Sequence, residues 1–345
     1  MTAGAEGPAF PDIGFPELAE THNLKIQTGV PVTGAAATGD AIAAGFGDGS
    51  LRLFRPDSDP VVVKAHDGAV LCLQAEDDVV VTGGDDGRFV GVSPNGTVEE
   101  IANFGTRWVD CVAVRGALQA CSSGRVVHLW TGPEKSARTF EHPSTVAGLA
   151  FDAEGRRLAV AHYGGVTVWQ NDGSEWIARK LAWNGPHAAV TFSPDGRFLI
   201  AALQENMLNC WRMEDQDVTQ LYGSVVKVKS FAWIGDQPFL ATSGAYAAIC
   251  WPFDGAEGPK DREPRRVCTA GDLVTAVLPV AGRSAVIAGF RHGAVIYGDL
   301  DPSSEPVFIE ESSTSAVTAL AVTQSKSHIL IGHEDGTVIW KPLKI

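Results

Sequence analysis

The 345-residue sequence lacks the features that mark membrane-spanning and secreted proteins. It has no run of eighteen or more apolar residues, so no segment is long enough to cross a bilayer as a helix. Its first residues, MTAGAEGPAFPDIGF, carry acidic side chains and prolines where a secretory signal needs a cationic start and a continuous apolar stretch. Six cysteines without CxxC spacing form neither a disulfide framework nor a paired zinc motif. We therefore expect a soluble, cytoplasmic protein with reduced thiols.

Local catalytic and nucleotide-binding signatures are missing as well. The sequence contains no HExxH, GxSxG or phosphate-cradling GxxxxGK motif. Residues 45–50, GFGDGS, have GxG spacing, but they lie between two short apolar segments with no helix to follow. The formal net charge of −14 at pH 7 also opposes broad attraction to nucleic acid or anionic membranes. We expect no cofactor, no nucleic-acid partner and no membrane partner.

The strongest positive signal is an internal repeat of roughly forty residues. Eight short apolar segments each end in an aromatic or bulky residue, at successive spacings of 38, 38, 39, 42, 40, 46 and 43 residues. These marker residues are Phe54, Val92, Trp130, Trp169, Trp211, Trp251, Tyr297 and Trp340.

Each marker segment belongs to a set of four short segments. Two apolar segments precede it, a more polar one follows it, and glycine-containing turns such as Asp86-Gly87 separate them. Segments of five to seven residues are too short for helical repeats, whose helices run to ten residues or more. The pattern predicts an all-β protein, a single β-propeller of eight four-stranded blades, with seven blades as the alternative.

Four stretches carry a family resemblance. TGGDDGRFVGV, GFGDGSLRLF and GHEDGTVIW resemble the turn between the second and third strands of WD40 repeats, and VTFSPDGRFLIAAL resembles the family's first two strands. The resemblance implies a propeller over residues 22–345, with residues 1–21 as an N-terminal extension. No Trp-Asp dipeptide occurs, in contrast to the family pattern.

The WD40 resemblance also implies structural residues. In that family a turn Asp, a His, a Ser or Thr and a Trp form a hydrogen-bonded tetrad within a repeat. By motif position the second repeat supplies His66, Thr82 and Asp86, with Val92 in the place of the Trp. Asp48 and Asp335 occupy the turn-Asp position in two other repeats.

The eighth repeat predicts how the ring closes. Its first strand is expected at residues 316–322 and its second at 328–331. Its third strand is expected to end at Trp340, and no fourth segment follows. Residues 23–29, NLKIQTG, form a strand-like segment that belongs to no repeat of its own. We predict that this segment is the missing fourth strand, so that both ends of the chain build the last blade. Because such a ring closes on itself, we expect a monomer.

One face of the propeller is expected to carry the function. It bears the loops that join successive repeats and the turns between second and third strands. Tryptophan, tyrosine and arginine on such loops concentrate binding energy because they bring large area or several donors. The predicted partner-binding residues are Phe46, Arg107, Trp108, Tyr163, Trp183, His187, Glu205, Tyr246 and Arg291.

Three functions fit this sequence. The first, implied by the WD40 resemblance, is a non-catalytic platform that binds other proteins. The second is an enzyme that acts in the central channel. The third is a metal-linked accessory protein, because AHYGGVTVW and ATSGAYAAICWPF are similar to bacterial WD40-like proteins associated with metal-chaperone GTPases. No His-x-His or paired CxxC spacing marks a metal site, so no metal ligands and no catalytic residues are predicted.

Overall fold

The structure, a computed structural model, describes residues 23–132, 137–235 and 238–345. These residues form thirty β-strands, and none of them lies in a helix that could cross a membrane. The predicted extension over residues 1–21 lies outside the described part of the chain. The all-β prediction is confirmed, because the short glycine-punctuated segments form strands throughout.

The innermost strand of each repeat lies next to the innermost strands of its two neighbours, and together they surround the ring axis. Small and β-branched residues dominate these strands, which suits the crowding near the axis. The inner strands are β2 (Val32–Thr38), β6 (Val70–Glu76), β10 (Cys111–Arg115), β14 (Val146–Phe151), the second half of β16 (Trp176–Phe192), β20 (Phe231–Ile234), β24 (Val274–Pro279) and β28 (Val317–Val322).

The second and third strands of each repeat pair as antiparallel hairpins. In the fourth repeat both belong to one long element, β15 (Arg157–Asn171). The others are β3 (Ala41–Phe46), β4 (Ser50–Arg55), β7 (Val79–Gly84), β8 (Arg88–Val92), β11 (Leu118–Ser123), β12 (Val126–Thr131), β17 (Phe198–Leu203), β18 (Met207–Arg212), β21 (Phe239–Thr242), β22 (Ala248–Pro252), β25 (Ala285–Phe290), β26 (Val295–Asp299), β29 (His328–His333) and β30 (Thr337–Pro342).

The outer strands are the most exposed, as their polar sequences predict. They are β5 (Ser58–Lys64), β9 (Val98–Asn103), β13 (Arg138–Glu141), the first half of β16, β19 (Val218–Tyr222), β23 (Arg265–Val267), β27 (Val307–Glu310) and β1 (Leu24–Gln27).

Asp-Gly turns connect the second and third strands of the first, second and eighth repeats. Gly49, Gly87 and Gly336 have φ angles of 81°, 80° and 85°. Only glycine adopts this left-handed region without steric cost, which explains why the turn sequence is so regular.

The fourth and fifth repeats share one six-stranded sheet, whereas the other described sheets have four strands each. β15 and β16 keep their pairing through the turns, because Tyr163 in the turn of β15 pairs with Pro186 in the loop of β16. Within β15 the two halves also meet, since the Asn171 amide donates to the Arg156 carbonyl at 2.8 Å. Counted as hydrogen-bonded sheets, the described ring has seven blades, which is the predicted alternative.

All eight predicted repeats are nevertheless present within these seven sheets. The fourth and fifth repeats keep four strand segments each, and the described core falls into eight hydrophobic clusters, one at each junction between neighbouring repeats. The prediction of eight separate blades is therefore corrected at one junction, where continuous hydrogen bonding joins two repeats.

The last sheet is built from both ends of the described chain. β1 pairs antiparallel with β30 in the predicted position, with Leu24 opposite Trp340 and Gln27 opposite Thr337. The Thr28 amide and hydroxyl extend the pairing by donating to the Gly336 carbonyl at 3.0 and 2.8 Å. The predicted closure of the ring is confirmed.

Candidate functional site

The predicted site residues belong to the face that carries the loops between repeats and the turns between second and third strands. We call this the loop face, and we call the opposite side, with the remaining turns, the turn face. On the loop face, side chains divide into buried ones that fix the loops and exposed ones that are free to contact a partner.

His66 is the centre of a buried hydrogen-bonded group in the second repeat. Its Nδ1 lies 3.0 Å from Asp86 Oδ1 and its Nε2 lies 2.9 Å from Thr82 Oγ1. Burial lowers the pKa of His66, although Asp86 opposes that effect. The neutral ring therefore donates from Nδ1 to the carboxylate and accepts from the threonine hydroxyl, which ties the loop before β6 to the turn after β7. This is the geometry that the family resemblance implies for these three residues.

Asp48 and Asp335 act within their own turns. Asp48 Oδ1 accepts from the Ser50 amide at 3.0 Å and from the Ser50 hydroxyl at 2.6 Å. Asp335 Oδ1 accepts from the Thr337 amide at 2.9 Å. Neither aspartate bonds a histidine as Asp86 does. Each stabilises its Asp-Gly turn by accepting a hydrogen bond from the amide two residues later.

Three buried histidines lie at the edge of the six-stranded sheet. Trp169 Nε1 donates to His142 Nε2 at 3.1 Å, and His162 Nε2 lies 2.9 Å from Thr167 Oγ1. His187 Nε2 accepts from Asn209 Nδ2 at 3.2 Å. Burial, helped by His162, lowers the pKa of His142 to about 4, so its ring is neutral at pH 7.

These histidines are not arranged as metal ligands. Within residues 23–132, 137–235 and 238–345, no three His, Cys, Asp or Glu side chains form a group that could hold a metal ion. Each ring instead bonds a polar group of its own or the adjoining strand, which is a structural use of histidine.

Two predicted partner-binding residues are corrected by the structure. Phe46 has no exposed surface, and the Arg52 guanidinium lies 4.6 Å from its ring centroid. His187 is also buried. Both lie within strands that pack against their neighbours, Phe46 at the end of β3 and His187 inside β16, so neither side chain is accessible at the surface.

The other predicted residues are at the surface. Trp108, Tyr163 and Tyr246 have 60%, 58% and 52% of their area exposed. Arg107 and Glu205 are exposed as well, and Trp183 is half-buried. Arg291 is exposed but paired with Asp272, whose Oδ1 lies 2.7 Å from Arg291 Nη2.

Hydrogen bonds link the loops from the fourth to the seventh repeat into one continuous stretch, which we call the loop arc. The Gln204 amide donates to the Pro186 carbonyl at 3.1 Å, and Asn206 Nδ2 donates to the Val225 carbonyl at 2.5 Å. The Val225 and Val226 amides both donate to the Gly244 carbonyl, at 2.7 and 3.0 Å.

The same pattern continues around the ring. The Gly244 amide donates to the Val274 carbonyl at 2.9 Å, and the Val274 amide donates to the Ala245 carbonyl at 2.8 Å. The Arg291 amide donates to the Leu273 carbonyl at 2.8 Å. Tyr163, Trp183, Glu205, Tyr246 and Arg291 therefore stand on a pre-formed surface.

The structure adds apolar residues that sequence reasoning missed. Val225 and Val226 are 48% and 40% exposed beside Tyr246, and Tyr222 at the start of the same loop is 60% exposed. The segment LYGSVVKV looks like part of a buried strand, because apolar residues predominate in it. The only sequence feature that indicates a loop here is Gly223-Ser224, which follows the outer strand and precedes the two valines.

The fold can now be compared with known proteins. No family model matches the sequence, and no curated protein matches it either. Among solved structures, the computationally designed Ika8 protein is similar, with a TM-score of 0.74, 17% identity and coverage of 94% of this chain and 98% of that one.

Natural WD40 domains are also similar. The WD40 β-propeller domain of Doa1 gives a TM-score of 0.62 at 14% identity, covering 94% of this chain and 96% of that one. The RRP9 WD40 repeats give 0.60 at 14% identity, covering 81% and 96%. At these identities the likeness is one of fold, and in fold the chain is a WD40-like β-propeller.

Proposed function

We propose that this protein is a non-catalytic platform that binds another protein through the loop face, by way of the loop arc and Trp108. The observation that carries this proposal is the combination of exposed aromatic side chains with loops held by backbone hydrogen bonds. A surface ordered before binding loses little conformational entropy when a partner docks, so more of the contact energy becomes affinity.

The composition of the loop arc suits a protein partner. Tyr163, Trp183 and Tyr246 offer large, rigid, amphipathic contact areas, and Val225 and Val226 add an apolar centre next to Tyr246. Glu205 and Arg291 lie among them and supply polar contacts, as at the rim of protein interfaces. The WD40-like fold supports the same function, since propellers of this type are protein-interaction scaffolds.

The test is affinity purification from the native cell with quantitative mass spectrometry, comparing wild type with Tyr246→Ala and Trp108→Ala. Controls are Phe308→Ala on β27 and Ile177→Ala on β16, which remove equally exposed apolar side chains from outer strands. We expect one set of partners to be lost from both loop-face variants, by about tenfold or more as for hot-spot residues, and kept by both controls.

Two results would contradict the proposal. One is a partner set that all four variants retain equally. The other is a partner set that the outer-strand controls lose and the loop-face variants keep, which would move the binding surface to the rim of the propeller. The variants need only a melting temperature near that of wild type to be informative, because all four side chains are exposed.

A further inference from the structure

The turn face has a cleft at the junction of the fourth and fifth repeats. The loop arc lies on the opposite face. The volume of the cleft is about 430 Å³, within the usual range of small-molecule sites of roughly 300–1,000 Å³. Three arginines (Arg156, Arg157 and Arg179) and three acids (Asp152, Glu154 and Asp195) line it. We call it the arginine cleft.

The acids of the arginine cleft already have protein partners, and the exposed Glu154 pairs with Arg156, with Oε2 3.1 Å from Nε. Buried Asp152 accepts from the Arg156 and Arg157 amides at 2.8 and 3.0 Å and from Arg157 Nε at 2.7 Å. Asp195 accepts from the Ser193 hydroxyl at 2.6 Å and from Arg197 Nε at 2.6 Å. These carboxylates have little remaining capacity to bind a cation.

The arginines, in contrast, have donors to spare. Arg157 Nε is used by Asp152, but among the described residues neither Nη group of Arg157 has a hydrogen-bond partner. Its guanidinium is held in place, with its carbon 4.8 Å from the Phe192 ring centroid and Nη2 overlapping the position that a Cβ at Gly196 would take. Both Nη groups of Arg157, each with two N–H donors, are therefore available at the lining of the cleft.

Arg179 has no carboxylate partner in the described part of the chain. Its Nη1 donates to the Met213 carbonyl at 3.2 Å. Its Nε and Nη2 donate to the Gln216 amide oxygen at 3.2 and 2.7 Å once that amide is oriented to satisfy both of its atoms. The Arg179 guanidinium is therefore held by neutral groups, and no carboxylate of the described residues pairs with it directly.

From this excess of oriented guanidinium donors we infer that the arginine cleft binds a small phosphate-bearing anion, with Arg157 and Arg179 as its principal ligands and Arg156 at the entrance. The planar guanidinium fork matches phosphate oxygens and forms charge-assisted bonds that are stronger than neutral ones. The lining carries three arginines and three acids, so its formal charges balance, and the unpaired guanidinium N–H donors rather than a net positive charge attract the anion. This site is separate from the proposed partner surface on the loop face.

The experiment is isothermal titration calorimetry of the full-length protein with inorganic phosphate and with phenyl phosphate, at constant ionic strength in sodium chloride. We expect saturable binding by wild type that weakens at least about tenfold in Arg179→Gln, the effect of losing a charge-assisted contact. Tighter binding of phenyl phosphate assigns the site to organic phosphate monoesters, and tighter binding of inorganic phosphate assigns it to the free ion.

Two further variants make the outcome decisive. Gln170→Glu places a carboxylate in the cleft from an exposed position, so it should weaken binding even if Arg179→Gln folds poorly. Arg125→Gln removes an exposed arginine that neither lines the cleft nor pairs with one of its acids, and should bind like wild type. The inference is overturned if wild type shows no saturable binding of either probe, or if Gln170→Glu binds as tightly as wild type.

Discussion

Buried polar side chains hold the loops of the loop face in place through hydrogen bonds. His66, His142, His162 and His187 are buried and each bonds a side chain of its own sheet, whereas the aromatic residues above them are exposed. Because an unpaired buried polar group costs roughly 1–3 kcal/mol, these bonds specify one position for each loop. The histidines therefore contribute to function indirectly, by holding the residues that face a partner.

The buried histidines predict acid sensitivity. Burial lowers the pKa of His142 from an ordinary value of 6.5 to about 4, so below pH 6.5 the unfolded chain binds a proton that the folded chain does not. The free energy of unfolding should therefore fall as the pH drops from 6.5 to 4, with His142 alone contributing roughly 2–3 kcal/mol.

Urea unfolding at several pH values between 7 and 4.5 measures this effect. His142→Gln keeps an acceptor for Trp169 Nε1 but cannot be protonated in this range, so its stability should depend less steeply on pH than that of wild type. Parallel pH profiles for the two proteins would show that His142 is not responsible.

At the residue scale the sequence predicts chemistry better than exposure. The spacing of His66, Thr82 and Asp86 places all three in one hydrogen-bonded group, because motif position within a repeat determines which turn each occupies. Phe46 and Val225 show the limit. Phe46 precedes a turn but its side chain packs inward, whereas Val225 belongs to an apolar run but its side chain is exposed. Only tertiary packing distinguishes the two.

At the scale of elements, neighbouring repeats fit together by placing a glycine against a valine. Cβ atoms added at Gly45, Gly289 and Gly332 of the second strands would lie 2.8, 2.5 and 2.5 Å from the valine that begins the next inner strand. Glycine lets that valine approach the backbone of the preceding repeat. At Gly332 the valine is Val32, so this contact also joins the last repeat to the first.

Gly332→Ala should therefore destabilise the ring. Its new methyl group would overlap Val32, which is buried, and overpacking of this kind costs about 1–3 kcal/mol. The matched control is Gly34→Ala in β2, whose nearest neighbouring atom would be 3.9 Å away and whose effect should be within about 0.5 kcal/mol. Chemical denaturation of both variants measures the difference, and equal stabilities would rule out the tight-contact explanation.

The shared sheet of the fourth and fifth repeats is an element that the sequence does not reveal. Repeat spacing places β15 and β16 in two successive units, and nothing in AHYGGVTVW indicates that Tyr163 pairs with Pro186. Such pairing depends on the paths of two loops in space. The same is true of the arginine cleft, whose walls come from both repeats.

For the whole molecule, closure of the ring is the feature that the sequence predicts most fully. The last repeat lacks a fourth strand and the segment at residues 23–29 belongs to no repeat, which together predict that this segment completes the last blade. The pairing of β1 with β30 confirms that prediction. The regular spacing of the marker residues is enough to define the propeller, because each repeat can bury its apolar faces only against its two neighbours.

Deleting residues 23–29 should open the ring. The edge of β30 would lose its paired strand, the packing of Leu24 and Ile26, and the bonds of Gln27 to the Asp335 carbonyl and Thr337 hydroxyl at 2.8 and 2.6 Å. We expect the melting temperature to fall by about 5 °C or more, or the protein to aggregate through the exposed edge.

The control is deletion of residues 1–19, which lie outside the described part of the chain and should leave the melting temperature nearly unchanged. Differential scanning calorimetry compares the two truncated proteins with the full chain. If loss of residues 23–29 leaves the melting temperature unchanged, closure by the end strands does not stabilise the ring.

We propose that a protein partner docks on the loop arc. The most direct test of this proposal is photo-crosslinking in the native cell from a reactive amino acid placed at Tyr246 or Tyr163, compared with the same group at Ile177 or Phe308 on outer strands. We expect a discrete crosslinked protein from the two loop-arc positions and none from the outer-strand positions. Crosslinks only from the outer-strand positions, or the same crosslinks from all four, would contradict it.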